Sequence, residues 1–178
     1  TNILTPWILA ARPKTLLASV SPVLIGCAMA AKEGQFQPIV AFIILLCTLL
    51  IQIGTNFAND VIDFERGTDT DERLGPERMT QSGMISASAM KLATAVVLLS
   101  ALGLGAYLVR IGGIPILLIG VVSLACAILY TAGPYSLAYT GLADLFVLIF
   151  FGPVAVGGTF YLLTQGFNSH VAVAGLCV

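Results

Sequence analysis

The chain has 178 residues, 58% of them apolar and only 10% charged, with a formal net charge of −1. A soluble domain carries about a quarter charged residues, so this composition argues against a water-soluble fold and for a chain that lives in a bilayer. Two long stretches, between Gln37 and Phe57 and from Ile111 to Ala143, hold no Lys, Arg, Asp or Glu at all.

A helix of about 20 residues crosses a hydrocarbon core of roughly 30 Å. On that measure five complete spans are expected, Leu16–Ala31, Pro38–Phe57, Ala89–Val109, Ile114–Tyr130 and Leu145–Thr164, with a sixth beginning near Val171. The fold class is therefore an all-α, polytopic transmembrane helical bundle, read as one domain over residues 1–178. The first apolar segment, flanked by Arg12 and Lys14, has the look of a signal-peptide start, but the further spans that follow make it a first transmembrane helix. The chain opens on Thr1, and its terminal apolar run, Val171 to Val178, is too short to cross, so a portion of a longer protein is expected. Pro153 and the pair Gly157–Gly158 predict a kinked fifth span packed closely on a neighbour. Cys27, Cys47, Cys126 and Cys177 lie in apolar stretches without CxxC spacing and read as small buried hydrophobes.

Basic residues favour the cytoplasmic side. With the N-terminus inside, Arg12, Lys14, Arg66, Arg73, Arg78 and Lys91 are cytoplasmic and only Lys32 and Arg110 lie outside. The long polar connection from Asn59 to Ser88 and the Tyr130–Asp144 connection then share the cytoplasmic side of the cell membrane.

The second span ends in Gly54-Thr-Asn-Phe-Ala-Asn-Asp-Val-Ile-Asp63. If the helix continues, Asn56, Asn59, Asp60 and Asp63 share one face, opposite Phe57, Ala58, Val61, Ile62 and Phe64. Ionisable groups at the mouth of a membrane helix are expensive and mark function by default. Their oxygen-only donors suit a hard cation such as Mg²⁺, which is commonly held by one or two carboxylates and substrate phosphates. Arg66, Gly67, Asp69, Asp71, Arg73 and Arg78 follow directly, and guanidinium groups beside carboxylates suit a diphosphate. Asp, Arg and Gly are also ordinary loop residues, so a solvated interfacial loop is the competing reading. The second connection offers a Gly133-Pro134 turn, three tyrosines (Tyr130, Tyr135, Tyr139) that are either interfacial anchors or site residues, and Asp144 as its one charge.

Taken together these motifs resemble the UbiA superfamily of membrane prenyltransferases, and within it the 1,4-dihydroxy-2-naphthoate branch. Asn59, Asp63 and Asp69 match the first aspartate-rich motif in that branch's wider spacing, and Gly67 stands where 4-hydroxybenzoate members carry an Asp. Arg12-Pro-Lys-Thr, Arg73-Leu-Gly-Pro, Gln81-Ser-Gly, Tyr130-Thr-x-Gly-Pro and Gly141-Leu-x-Asp144 match in order across the chain. The resemblance implies a bundle of nine spans, with a second aspartate-rich motif after the sixth, past Val178.

It also implies a Mg²⁺-dependent transfer of a polyprenyl group from an allylic diphosphate to an aromatic acceptor, 1,4-dihydroxy-2-naphthoate, in menaquinone or phylloquinone biosynthesis. On that pattern Asp60, Asp63 and Asp69 are metal ligands and Asn59 orients the site. Arg66, Arg73, Arg78, Arg12, Lys14 and Asn56 are set to contact the diphosphate, while Tyr130, Tyr139 and Asp144 line the acceptor region. The partners expected are the two substrates and the lipid bilayer, with no nucleic acid. Another prenyltransferase branch (4-hydroxybenzoate, haem O or chlorophyll) is the alternative, and a cation transporter is the alternative from a different class. The arginines separate the last, since they repel a permeating cation and attract a diphosphate.

Overall fold

Proline and glycine set the helix ends in the computed structural model, which describes residues 3–67, 78–129, 145 and 148–177. The first helix, α1 (Leu4–Ala11), stops at Arg12, whose backbone is left-handed (φ 54°, ψ 74°). Pro13 then occupies the first position of α2 (Pro13–Lys32). Proline disfavours helical backbone in the residue before it, and its missing N–H costs nothing at a helix start. Thr15 fixes the joint by donating both its amide (2.9 Å) and its hydroxyl (3.0 Å) to the Arg12 carbonyl. The short α1 is an addition to the expected spans, and the Arg12-Pro13 step was the signal for it.

Pro38 likewise opens α3 (Pro38–Arg66), which ends on Gly67 in the left-handed conformation (φ 63°). A 29-residue helix is about 44 Å long. That exceeds the roughly 30 Å hydrocarbon core, and α3 continues well past the expected end at Phe57 with its polar residues on the extension. Helix α4 (Ala87–Leu129) covers both expected spans of that region, and Gly113, at φ 66° and ψ −152°, divides it into two helices. Pro115 starts the second of them.

The expected kink in the last long span lies at a π-helical turn, Phe150–Val154, that contains Gly152 (ψ −106°) and Pro153. It leads into α5 (Ala155–Thr164), and α6 (Ser169–Leu176) follows with Asn168 accepting from the Val171 amide (3.0 Å) as its cap. The tightest approach is at Gly152 rather than at Gly157–Gly158. A Cβ on Gly152 would sit 2.2 Å from the Gly175 carbonyl oxygen, against 3.2 Å from the Phe167 ring for one on Gly157.

Two separate cores hold these helices. The larger joins Val23, Ile44, Leu108, Val156, Phe160 and Val171 from α2 to α6. The smaller joins Ala10, Phe57, Val61, Met79, Ile85 and Met90 at the end of the bundle where α1, α3 and α4 meet. Leu17, Leu24, Phe42, Leu99, Leu118 and Val121 remain exposed, as suits a bundle whose outer solvent is lipid. Helices α2, α3 and α4 are long and apolar enough to cross a membrane.

Hydrogen bonds identify the two ends of the bundle. Gln37 Nε2 donates to the Leu163 carbonyl (3.1 Å) and Asn168 Nδ2 to Glu33, joining the loops at one end. The α1–α2 joint, the polar end of α3 and the segment entering α4 gather at the other.

Candidate active site

The four residues of the predicted polar stripe all lie on the last turns of α3, and all are buried. Phe57, Ala58 and Val61 on the opposite face are buried too, so this end of α3 is enclosed on both sides rather than open to water along its polar edge. Burying carboxylates demands partners, and each residue has them.

Asn56 Nδ2 donates to the Ala11 carbonyl (2.8 Å) and to Thr15 Oγ1 (3.0 Å), tying α3 to the α1–α2 joint. Trp7 packs edge-on to Phe57 beside it, with ring centroids 5.6 Å apart. Asp60, 1% exposed, accepts from two successive backbone amides, Met79 N (3.0 Å to Oδ2) and Thr80 N (2.9 Å to Oδ1). Asp63 forms a buried ion pair with Arg78. Asn59, immediately before Asp60, is buried as well.

The segment from Arg78 to Ile85 is a compact turn. Ser82 N donates to the Arg78 carbonyl (3.0 Å), Gly83 N to Thr80 (3.1 Å) and Ile85 N to Met79 (3.0 Å). Gly83, at φ 71°, allows the reversal. Met79 and Ile85 anchor the turn in the smaller core. At its edge Lys91 pairs with Glu65, both half-exposed, where surface pairs contribute little.

Of the residues expected at the site, Asn56, Asn59, Asp60, Asp63 and Arg78 come together. Arg12 is nearby in the chain joint, partly buried, while Lys14 and Arg66 are exposed. Asp69, Arg73, Tyr130, Tyr139 and Asp144 lie outside the described residues. Thr15, Met79 and Thr80 were not foreseen. They enter through backbone groups and a single hydroxyl, for which residue type gives no signal.

Among the described residues no three Asp, Glu, His or Cys side chains come close enough to enclose a metal ion. The donors present are nevertheless the right kind for Mg²⁺: hard oxygens from Asp63 and Asn59 beside Asp60, few enough that substrate phosphates must complete the shell. Arg78 on Asp63 and Arg12 at the joint that Asn56 ties to α3 both carry buried guanidinium N–H groups, so the site fits a metal-bound diphosphate in charge and in donor type.

The family model for the UbiA prenyltransferase family matches residues 19–178. The chain is 36% identical to 1,4-dihydroxy-2-naphthoate octaprenyltransferase of Haemophilus influenzae, over 96% of this chain and 58% of that protein. It is 38% identical to the Escherichia coli protein of the same name, over 88% of this chain and 53% of that one. It is 28% identical to 2-carboxy-1,4-naphthoquinone phytyltransferase of Synechocystis, over 97% of this chain and 55% of that protein. The chain thus spans a little over half the length of these relatives. On the family match and these identities, the chain belongs to the UbiA prenyltransferase family.

Proposed function

We propose that the protein carrying this chain transfers a polyprenyl group from an allylic diphosphate to 1,4-dihydroxy-2-naphthoate, with Mg²⁺, at the cytoplasmic end of its membrane bundle. The observation that carries the reading is the buried set of Asn59, Asp60, Asp63 and Arg78 at one end of an apolar bundle. The names of the relatives support the choice of acceptor, and six of the eight basic residues on one side support the orientation.

Asp63 and Asn59 would hold Mg²⁺, together with Asp69 from the adjoining loop. The ion, when bound, supplies positive charge that stabilises the departing diphosphate. Arg78, preorganised by burial and by the turn that bears it, donates to phosphate oxygens with no reorganisation cost at the moment of bond breaking. Arg12, Lys14, Arg66 and Arg73 add positive charge on the same side and draw the diphosphate to the site. The isoprenoid tail lies among the apolar helices, which keep water from the allylic cation until the acceptor ring attacks it and the attacked carbon releases the acceptor's carboxylate as carbon dioxide. Asn56 holds α1 and α2 against α3, so it closes the site without touching substrate. Tyr130, Tyr139 and Asp144 complete the acceptor region in this reading.

The test is transfer of radiolabelled polyprenyl diphosphate by the intact membrane protein to 1,4-dihydroxy-2-naphthoate and, in parallel, to 4-hydroxybenzoate. Naphthoate turnover should dominate and should vanish without divalent cation. Faster turnover of the benzoate would move the protein to another branch, and cation flux without transfer would move it to another class.

A further inference from the structure

We infer that Asp60 is a positioning residue, a carboxylate clamp that sets the Arg78–Thr80 turn over the diphosphate site, and that it stays on that turn when the site is loaded. The inference rests on the prenyl-transfer reading for its substrate, but its geometry stands on the fold alone.

Both carboxylate oxygens of Asp60 are engaged, Oδ2 by the Met79 amide at 3.0 Å and Oδ1 by the Thr80 amide at 2.9 Å. Two adjacent N–H groups at the start of a turn are the donors that a helix cap satisfies, and a carboxylate from another helix does that work here. Asp60 is also the most enclosed polar residue of the cluster, 1% exposed against 5% for Asp63 and 7% for Asn59. Each oxygen keeps a second lone pair, but a metal bound there would have to enter the most enclosed part of the cluster and would draw the carboxylate's charge away from the two amide hydrogen bonds. Asp63, one turn along the same face, is the carboxylate facing the guanidinium and is the one able to trade it for an incoming cation.

What the clamp holds is suited to an anion. Arg78 begins the turn and reaches Asp63, and Thr80 ends the clamped pair with a buried hydroxyl that has no hydrogen-bond partner among the described residues. Met79, between them, is locked in the smaller core at 1% exposure. With its middle residue packed and the Met79 and Thr80 amides fixed, the turn holds the Arg78 guanidinium on Asp63 and keeps the Thr80 hydroxyl buried two residues along the chain.

Hydrogen exchange at the Met79 and Thr80 amides of the wild-type intact protein, with and without Mg²⁺ and inorganic pyrophosphate, is the direct test. Protection should persist or increase on loading; its loss would mean that Asp60 leaves the turn for the ion, and would overturn the inference. Kinetics supply the second arm. Asp60→Asn should raise the KM for polyprenyl diphosphate about tenfold, the scale of one hydrogen bond to a charged group, with the Mg²⁺ half-saturation unchanged at saturating diphosphate. In an Arg78→Ala background the same substitution should add less than about twofold, because its effect runs through Arg78. A raised Mg²⁺ requirement, or an undiminished effect in the Arg78→Ala background, would refute the clamp. A wild-type protein that transfers no prenyl group to any acceptor would defeat the functional reading and leave the exchange result to stand by itself.

Discussion

Arg78→Ala should destabilise the protein by about 3–5 kcal/mol, because it strips the guanidinium from a carboxylate that the fold keeps buried. The magnitude follows from enclosure: the Arg78 and Asp63 side chains are only 5% and 7% exposed, so water is poorly placed to replace the lost charge. A surface pair such as Lys91–Glu65, about half-exposed on both sides, should lose under 1 kcal/mol in the same operation. Replacing both buried partners, Asp63→Leu with Arg78→Met, should recover most of the stability, since a buried pair often does no better than apolar groups of similar volume. It should recover no transfer activity. Unfolding can be followed by SDS titration in mixed micelles, with the exposure of Cys47, buried in the folded chain, reported by a thiol reagent. An Arg78→Ala protein within about 0.5 kcal/mol of wild type would show that Asp63 is solvated, and the enclosed site would have to be abandoned.

Asp63→Asn should lower transfer per folded protein by about 10²–10³, the usual cost of one well-placed electrostatic group, and should also lower stability, since it leaves the buried Arg78 charge without its carboxylate; near-normal turnover per folded protein across a Mg²⁺ titration would remove Asp63 from the site. Gly152→Ala should cost about 1–3 kcal/mol or more, because its Cβ meets the Gly175 backbone at 2.2 Å, and Gly54→Ala should cost less, because its Cβ meets the Leu98 side chain (Cδ2 at 2.4 Å, Cγ at 2.8 Å) rather than backbone; equal SDS midpoints would refute the close helix crossing. For topology, a single cysteine introduced at Lys14 should be shielded from an impermeant reagent added outside intact cells and one at Gln37 labelled, and the reverse pattern would invert the proposed orientation.

The polar stripe was legible because its spacing of three and four residues needs only a continuous helix, and α3 is continuous to Arg66. Its enclosure was not legible. Periodicity places Phe57, Ala58 and Val61 opposite the stripe, but it takes α1 together with the return of the chain through Met79 and Ile85 to cover both faces. The partner of Asp63 was hidden for a related reason: Arg78 was one of several arginines in a polar connection, and nothing local distinguishes it from Arg66, which ends exposed. The hydrogen-bond partners of Asp60 were hidden too, since they are backbone amides that every residue carries. The helix ends were more faithfully encoded. Arg12-Pro13, Pro38 and Gly67 each break or cap a helix by conformational restriction alone.

The division into two cores explains how a site of charged residues coexists with a lipid-embedded bundle. The larger core binds the membrane-spanning parts of α2, α3 and α4 to α5 and α6, and among the described residues the buried polar groups beside it are the uncharged hydroxyls of Ser19 and Thr159. The smaller core lies where α3 has outrun the hydrocarbon thickness, and there Asn56, Asp60 and Asp63 bond to α1, to the α1–α2 joint and to the turn before α4. Polar groups placed in the larger core would lack such partners, because regular helices present no free amides along their length. At the smaller core, helix ends and turns supply free N–H and C=O groups in number. Among the described residues the buried carboxylates lie where the α1–α2 joint and the Arg78–Ile85 turn meet the end of α3, and that meeting is what fixes the site.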